Sequence, residues 1–457
     1  MFRYKESYII IPLVLLLVSC KKEPSYTIKE KPEVTIRVND SRLNQQVIHL
    51  SGDTVYILAT DITRSAGQQL VVDAGTLVKV NDRVAITIQE GAEINASGTA
   101  TKPIVFTSSA PTGGTGTGTG GAGSAHVWYG IRIYGNALTQ PTTASGSIKY
   151  VRIEFAGGND NSAALPSLLL RNVTKETVLE NIQVSYSTTT PSFELDGGNC
   201  NAKYLVSYAS GSTDFYIHNG HTGMLQFLLA WRHPYFPAAP GLVPAQSFGG
   251  LLIEDNTSFP IISNITVIGP GVQRATNSIY SDTISKGLFG TLNGRRVAAF
   301  VTHSGAKFQI RNAAFLAFPK GGFYLDDKTT GLSLFNEESS FMYSLVHSND
   351  TARNYYLWPD AWPPLTSRDF KNFILQPKFN NSAVLNESEF MLDNAFDYDY
   401  HPDPLSGSGS PLLSGANFDG VFNDAFFEKV TWRGALGQTN WLTGWTNFKP
   451  LQTRYNN

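Results

Sequence analysis

The stretch from Glu194 to Trp231 holds side chains that could bind a ligand or transfer protons. Glu194 and Asp196 are followed, one sequence repeat later, by Tyr216 and His218. Carboxylate, phenol and imidazole groups together can bind sugar hydroxyls or act as general acids and bases. The predicted ligand-binding set is Glu194, Asp196, Asp214, Tyr216, His218 and Trp231. No catalytic residue is assigned, because the sequence does not yield a complete catalytic set.

Strand alternation predicts which of these groups share a surface. Apolar and polar residues alternate in both copies of the repeat. The alternation places Asp214, Tyr216 and His218 on the outer face, and it places Glu194 and Asp196 on the same face one coil earlier. With coils about 4.8 Å apart, Glu194 should lie over Tyr216, and Asp196 over His218. A solvated outer face held by cross-strand polar pairs is the favoured interpretation. A sugar-binding or acid–base surface is the alternative.

Three motifs could supply metal ligands. His218-Asn219-Gly220-His221 offers two imidazoles, but a structural zinc site uses four ligands and no second His or Cys pair is near in sequence. Asp326-Asp327 and Asp397-Tyr398-Asp399 lack the Gly-punctuated spacing of a calcium loop, which favours solvated turns. We therefore predict no metal and no cofactor.

A repeat of about 22 residues must position these groups. Val184-Ser185-Tyr186-Ser187 aligns with Val206-Ser207-Tyr208-Ala209, and Phe193-Glu194-Leu195 aligns with Phe215-Tyr216-Ile217. Short β-type runs at this period predict a solenoid, whose coils bury their apolar faces only by stacking. The predicted fold is all-β: a right-handed parallel β-helix with irregular loops and a C-terminal cap. About 11 to 14 coils would give a rod on the order of 50 to 65 Å long.

The other strand of each repeat carries apolar residues that the same alignment divides into two sets, one on each face. Val184, Tyr186, Val206 and Tyr208 fit the interior, whereas Leu205, Phe227, Leu229 and Trp231 fall on the other face. Either the loop beginning at Arg232 covers this second face, or the strip with Trp231 is a partner surface.

Isolated residues of the repeat carry their own predictions. Asn181, Asn264 and Asn312 stand before apolar runs and are predicted to be turn residues that tolerate a left-handed backbone. Cys200 is predicted to be a small buried residue rather than a reactive thiol.

The N-terminus predicts export and a lipid anchor. Residues 1–19 combine Arg3 and Lys5 with an apolar run too short to span a bilayer, as in a secretory signal. Leu17-Val18-Ser19-Cys20 resembles the lipobox of bacterial lipoproteins, which implies cleavage before Cys20 and acylation of its thiol. Residues 20–46 are predicted to be the lipidated Cys and a tether, 47–415 the β-helix, and 416–457 the cap.

Several segments resemble one family in particular. "VVDAGTLVKV", "ITIQEGAEINASGTATKPIVFTSS" and "WYGIRIYGNA" look like the opening of right-handed parallel β-helix surface lipoproteins of Bacteroidetes, and "FFEKVTWRGALG" and "WLTGWTNFKP" look like their closing segment. The resemblance implies a pectin-lyase-like fold but not lyase activity. Lys21-Lys22-Glu23 resembles the signal that sends such lipoproteins to the outer face of the outer membrane.

The predicted function is binding rather than catalysis. A formal net charge of −2 with 16% charged residues argues against a nucleic-acid partner. We expect an outer-membrane, lipid-anchored surface protein that binds a glycan or a partner protein. The alternative is a polysaccharide lyase or glycoside hydrolase that uses the face with Glu194, Asp196, Tyr216 and His218.

Overall fold

The chain folds as a parallel β-helix in a computed structural model. The structure describes residues 30–109, 128–140, 142–160, 163–187, 190–232, 249–269, 271, 298–318, 321–358, 361–393, 395 and 405–455. Cys20, the predicted site of lipid attachment, and the Asp397-Tyr398-Asp399 motif lie outside these residues. Among them, no helix is long and apolar enough to cross a membrane.

Short strands are the main regular secondary structure of the described chain. In order they are β1 Glu33–Ile36, β2 Val47–Leu50, β3 Val55–Leu58, β4 Ile62–Arg64, β5 Gln69–Val72, β6 Leu77–Val80, β7 Ile86–Ile88, β8 Glu93–Ser97, β9 Ile104–Ser108, β10 Ile131–Tyr134, β11 Gly146–Glu154, β12 Gly158–Asp160, β13 Ala163–Leu165, β14 Leu168–Arg171, β15 Val178–Ser185, β16 Phe193–Asp196, β17 Ala202–Tyr208, β18 Phe215–His218, β19 Met224–Trp231, β20 Leu251–Ile253, β21 Ile261–Ile268, β22 Phe300–Thr302, β23 Gln309–Arg311, β24 Ala314–Phe318, β25 Phe323–Leu325, β26 Ser340–Met342, β27 Leu345–Ser348, β28 Tyr355–Leu357 and β29 Ser382–Ala383. Two α-helices, α1 Lys328–Phe335 and α2 Ser367–Ile374, follow β25 and β28. Short 3₁₀ helices cover Ser41–Asn44, Thr351–Arg353, Pro377–Phe379, Glu387–Phe390, Pro411–Leu413 and Gly420–Asn423.

The strands form three faces around one core. A 10-stranded parallel sheet runs from β4 to β28 with one strand from each of ten successive coils. A 17-stranded sheet supplies the other two faces, because its long strands β11, β15, β17, β19 and β21 bend in the middle. Apolar side chains that alternate along all three faces point inward and form a continuous buried core.

Left-handed residues make the bend within the long strands. Asn181, Asn264 and Asn312 have φ of 55°, 56° and 58°, which confirms the prediction that they are turn residues with left-handed backbone. Tyr204 and Phe227 occupy the same corner in the intervening coils, with φ of 58° for both. The corner therefore does not require asparagine. The asparagines in the sequence mark this corner in fewer coils than contain it.

The predicted extent of the helix needs correction. Parallel pairing starts at Glu33 and ends at Ala383, rather than running from 47 to 415. The number of coils agrees with the expected 11 to 14. In the described residues, one face of the 17-stranded sheet stacks twelve strands in parallel: β1, β3, β6, β9, β11, β15, β17, β19, β21, β24, β27 and β29.

The register on the bent sheet also differs from the sequence alignment. Val184 pairs with Ser207, and Tyr208 pairs with Trp231, so the offset on this face is one residue longer than on the 10-stranded sheet. A one-residue slip moves every side chain to the opposite face of a strand. Leu205 is consequently in the enclosed core, whereas Val206 faces outward.

The C-terminal residues 405–455, which we call the clasp, cover that outward face. The backbone N–H of Asn417 donates to Asn312 Oδ1 at 2.9 Å in a late coil. The backbone N–H of Glu428 donates to Gln226 Oε1 at 2.8 Å in a coil nearer the N-terminus. Tyr455 then donates its hydroxyl to Glu154 at 2.5 Å in an early coil. The segment predicted to cap the open end thus lies along the side of the solenoid instead.

Candidate functional site

The outer face of the 10-stranded sheet carries a row of polar residues on five successive coils. Each one ends its strand or directly follows it, and each precedes a residue with positive φ. The pairs are Arg171–Asn172, Asp196–Gly197, His218–Asn219, Glu254–Asp255 and His303–Ser304. Together with Glu194 and Tyr216 in the neighbouring row, the first members of these pairs form what we call the polar strip. The left-handed residue turns the chain at the same point in each coil, so the row stays in line.

The predicted stacking of the duplicated unit is confirmed. In the β16–β18 ladder, Glu194 lies opposite Tyr216, and Asp196 lies opposite His218. The closest polar contact is diagonal, however: His218 Nε2 lies 3.0 Å from Glu194 Oε1. Diagonal neighbours are within reach of long side chains on adjacent strands, so register alone does not fix the partners.

Asp196 has partners on both of its oxygens. Asn219 Nδ2 donates to Oδ1 at 2.8 Å, and the Arg171 guanidinium forms an ion pair with Oδ2. The Arg171 side chain is 46% exposed, whereas that of Asp196 is 7% exposed. Asp196 is therefore held in a fixed orientation just below the surface.

A second group of contacts extends the strip toward the later coils. The Tyr216 hydroxyl donates to Glu254 Oε2 at 2.5 Å, and His303 forms an ion pair with the same carboxylate. The Tyr216 and His218 rings stack with centroids 4.1 Å apart and an interplanar angle of 4°. This stack joins the pair of Glu194 and His218 to the pair of Glu254 and His303.

The electrostatics of the strip favour a protonated His218. Burial of the ring lowers its pKa, but the hydrogen bond and charge of Glu194, with further charge from Asp196 and Glu254, outweigh burial, and the pKa is raised. The imidazole therefore stays positively charged to a higher pH than an isolated histidine would, which strengthens its hydrogen bond to Glu194.

Asp214 does not belong to this surface. It precedes β18, is fully buried, and forms an ion pair with Arg232 at 2.8 Å while accepting a hydrogen bond from Ser207 Oγ at 2.6 Å. Burial raises the Asp214 pKa to about 6, although the Arg232 charge opposes the shift. The alternation that placed Asp214 outside fails because the residue lies at a corner before the strand starts.

Trp231 is also absent from the exposed surface. Its side chain is fully buried, and Nε1 donates to the Ala395 carbonyl at 2.9 Å. Tyr208 and Phe448 pack edge-on against the ring, with centroids at 5.9 and 5.5 Å. The outward apolar strip is thus covered, and Phe448 of the clasp supplies part of the cover. The loop predicted to cover it, residues 233–248, lies outside the described residues.

The two imidazoles of the His-Asn-Gly-His motif do not form a joint site. His221 is buried, and its Nδ1 lies 3.1 Å from the Gly197 carbonyl, to which Nδ1–H donates. Burial lowers the His221 pKa to about 4, so the ring is neutral. Asp327 is the N-cap of α1 and accepts from the Thr330 N–H at 2.9 Å, a structural role in place of the solvated turn that was expected.

Cys200 is fully buried, as predicted. Burial raises its pKa to about 12, so the thiolate needed for reactivity does not form near neutral pH.

Sequence reasoning missed Arg171, Glu254 and His303. A usable signal was present, because each follows a β-type run and precedes Asn, Asp or Ser at a turn, as His218 precedes Asn219. The repeat of about 22 residues could not reveal these residues, because long connections separate β19 from β20 and β21 from β22.

The strip offers both hydrogen-bond donors and acceptors. Three carboxylates, two imidazoles, one guanidinium and one phenol lie on neighbouring strands. A set of this kind can bind vicinal hydroxyl groups, and the pair of His218 and Glu194 has the base-and-orienter arrangement used in acid–base catalysis.

Comparison with known proteins identifies the family. Residues 42–355, more than half of the chain, match the family described as pectate-lyase-like beta helix domain. No curated protein and no solved structure matches the chain. The matched range covers the strands from β2 to β27 and includes every residue of the polar strip. The chain therefore belongs to the family of pectate-lyase-like beta-helix domains.

Proposed function

We propose that this protein is a surface glycan-binding protein whose polar strip contacts the sugar. The observation that carries the proposal is the row of polar side chains on five successive coils, from Arg171 to His303. A parallel β-helix repeats its coils about 4.8 Å apart, so the row is a linear surface suited to an extended polymer. The family supplies the scaffold but does not define the ligand.

The charges on the strip favour a neutral, hydroxyl-rich glycan. Glu194, Asp196 and Glu254 provide three carboxylates, against Arg171 as the permanent cation. A polyanionic sugar would face repulsion from the carboxylates, whereas hydroxyl groups could donate to them. Tyr134, whose ring lies 5.6 Å from the Arg171 guanidinium, extends the strip with an aromatic surface.

The test is retention of purified protein on immobilised neutral and acidic polysaccharides, with simultaneous measurement of new reducing or unsaturated ends. Asp196→Asn and Tyr216→Phe should reduce retention on the glycan that binds. The matched control is Glu180→Gln, which breaks the exposed Lys149–Glu180 pair at 2.8 Å on another face and should leave retention unchanged. Equal retention of all variants would contradict the proposal.

The same experiment separates binding from catalysis. Retention without new ends supports a binding protein. New ends that disappear in His218→Gln would identify a lyase or hydrolase instead, because such an enzyme needs a base and a charge-stabilising group converging on one sugar.

We also propose that Cys20 carries the lipid that holds this protein on the outer membrane, with residues up to 46 as a tether. Several acyl chains, each contributing about 0.8 kcal/mol per buried methylene, would make the attachment stable. In Cys20→Ala, acyl labelling should be lost and the protein should leave the membrane fraction or remain as the precursor. Unchanged labelling would exclude this anchor.

A further inference from the structure

We propose that Glu194, Asp196 and His218 bind a divalent transition-metal ion, with Zn²⁺ as the best fit. One carboxylate oxygen from each acidic residue and one imidazole nitrogen lie within 4.8 Å of one another. We call these three residues the triad. The inference concerns metal binding and does not depend on the glycan proposal.

The triad follows from the register of two strands. Glu194 and Asp196 are two positions apart on β16, so their side chains leave the same face, and β18 places His218 directly opposite Asp196. His218 Nε2 already lies 3.0 Å from Glu194 Oε1. Ligand distances of about 2.0 to 2.2 Å in a tetrahedral zinc site place donor atoms about 3.3 Å apart, so small side-chain rotations would complete the set.

The chemistry of the donors selects the kind of cation. Ca²⁺ takes about six to eight oxygen ligands, and the triad has two carboxylates and a nitrogen. An imidazole favours Zn²⁺ and its neighbours among the transition metals. Three protein ligands leave one tetrahedral position open, which is the arrangement of zinc sites that also bind water or substrate.

Neighbouring residues would orient the ligands. Asn219 and Arg171 each donate to one oxygen of Asp196, and a carboxylate retains lone pairs on both oxygens for further contacts. Tyr216 stacks on His218 at 4.1 Å and fixes the plane of the imidazole. Such contacts hold the side chains that bind the metal in position and raise affinity for it.

The decisive experiment is calorimetric titration of tag-free, metal-stripped protein with Zn²⁺, alone and in millimolar Ca²⁺. Wild type should bind one equivalent that Ca²⁺ does not displace. His218→Gln and Glu194→Gln should each weaken binding at least about a hundredfold, since loss of an outer-shell partner alone costs about 10- to 100-fold. Two variants are used so that a folding defect in one leaves the other informative.

The matched control is His303→Gln, which removes an imidazole from the same strip but outside the triad. It should keep wild-type affinity for Zn²⁺. Zn²⁺ should also raise the melting temperature of wild type and of His303→Gln, but not of His218→Gln. Absence of saturable binding, displacement by Ca²⁺, or equal weakening by His303→Gln would each overturn the proposal.

Discussion

Replacing Arg232 by Met should destabilise the protein in a strongly pH-dependent way. Arg232 and Asp214 are both fully buried and form an ion pair at 2.8 Å. Arg232 also donates to the carbonyls of Ser210 and Gly249, each at 2.8 Å, and to that of Ser212. The substitution therefore leaves one buried carboxylate and three carbonyls without their cation.

The size of the effect follows from the titration of Asp214. Its pKa is raised from 3.8 to about 6 in the folded protein. The folded state thus keeps a proton that the unfolded chain releases, and the contribution of Asp214 to stability falls as the pH rises from about 4 to about 6. Without Arg232 the pKa rises further, and a folded variant that keeps Asp214 protonated up to pH 8 loses about 1.36 kcal/mol for each of the two pH units above 6, an additional ~3 kcal/mol relative to wild type. At pH 5.5 this added loss nearly vanishes, because Asp214 is largely protonated in both proteins.

The remaining loss does not depend on pH. Three buried carbonyls that lose their donor cost about 1 to 3 kcal/mol each, so at least about 3 kcal/mol in total. Urea unfolding should therefore show a loss of at least about 6 kcal/mol at pH 8 and at least about 3 kcal/mol at pH 5.5. Arg232→Met with Asp214→Asn should abolish the difference between the two pH values, and Arg353→Met, at a partly exposed pair with Asp350, should cost under about 1 kcal/mol. An equal loss at both pH values in Arg232→Met would refute the reasoning.

Three further predictions concern other parts of the fold. Trp445→Ala should lower the free energy of unfolding by about 3 to 5 kcal/mol, measured by urea, because this fully buried ring joins the clasp to the solenoid; no loss would mean that the clasp is not tightly packed. Gly146→Ala should cost far more in melting temperature than Gly67→Ala: both glycines have positive φ, but an added Cβ would lie 2.1 Å from the Ile94 carbonyl oxygen at Gly146 and meet nothing within 4 Å at Gly67. For His347, whose buried Nδ1 accepts from the Ala317 N–H at 3.1 Å, burial lowers the pKa to about 4. The unfolded chain therefore binds the proton first, and His347 contributes a fall in stability of about 3 kcal/mol from pH 6.5 to pH 4; the change in stability of His347→Asn over this range should differ from that of wild type by this amount.

Pairing across the 10-stranded sheet could be predicted because its register is uninterrupted. Phe193 and Phe215 pair as the repeat indicates, and this places Asp196 opposite His218. On the bent sheet the offset is one residue longer both before the left-handed corner, where Glu180 pairs with Lys203, and after it, where Val184 pairs with Ser207, so the alignment of Val184 with Val206 fails. A periodic pattern reveals that strands stack, but a connection between two faces that differs by one residue from coil to coil leaves little trace in the pattern.

The sequence by itself determined the class of fold, the buried Cys200, the asparagine turns and the stacking of Glu194, Asp196, Tyr216 and His218. These features depend on alternation and on the conformational preferences of single residues, which are local. Only the tertiary structure decided that Arg171 and His303 join the strip, that Asp214 is paired inside, and that Trp231 lies beneath the clasp. Those contacts link residues separated by connections of variable length, as between Trp231 and Ala395, and local preference carries no information about which distant segment will cover an apolar face.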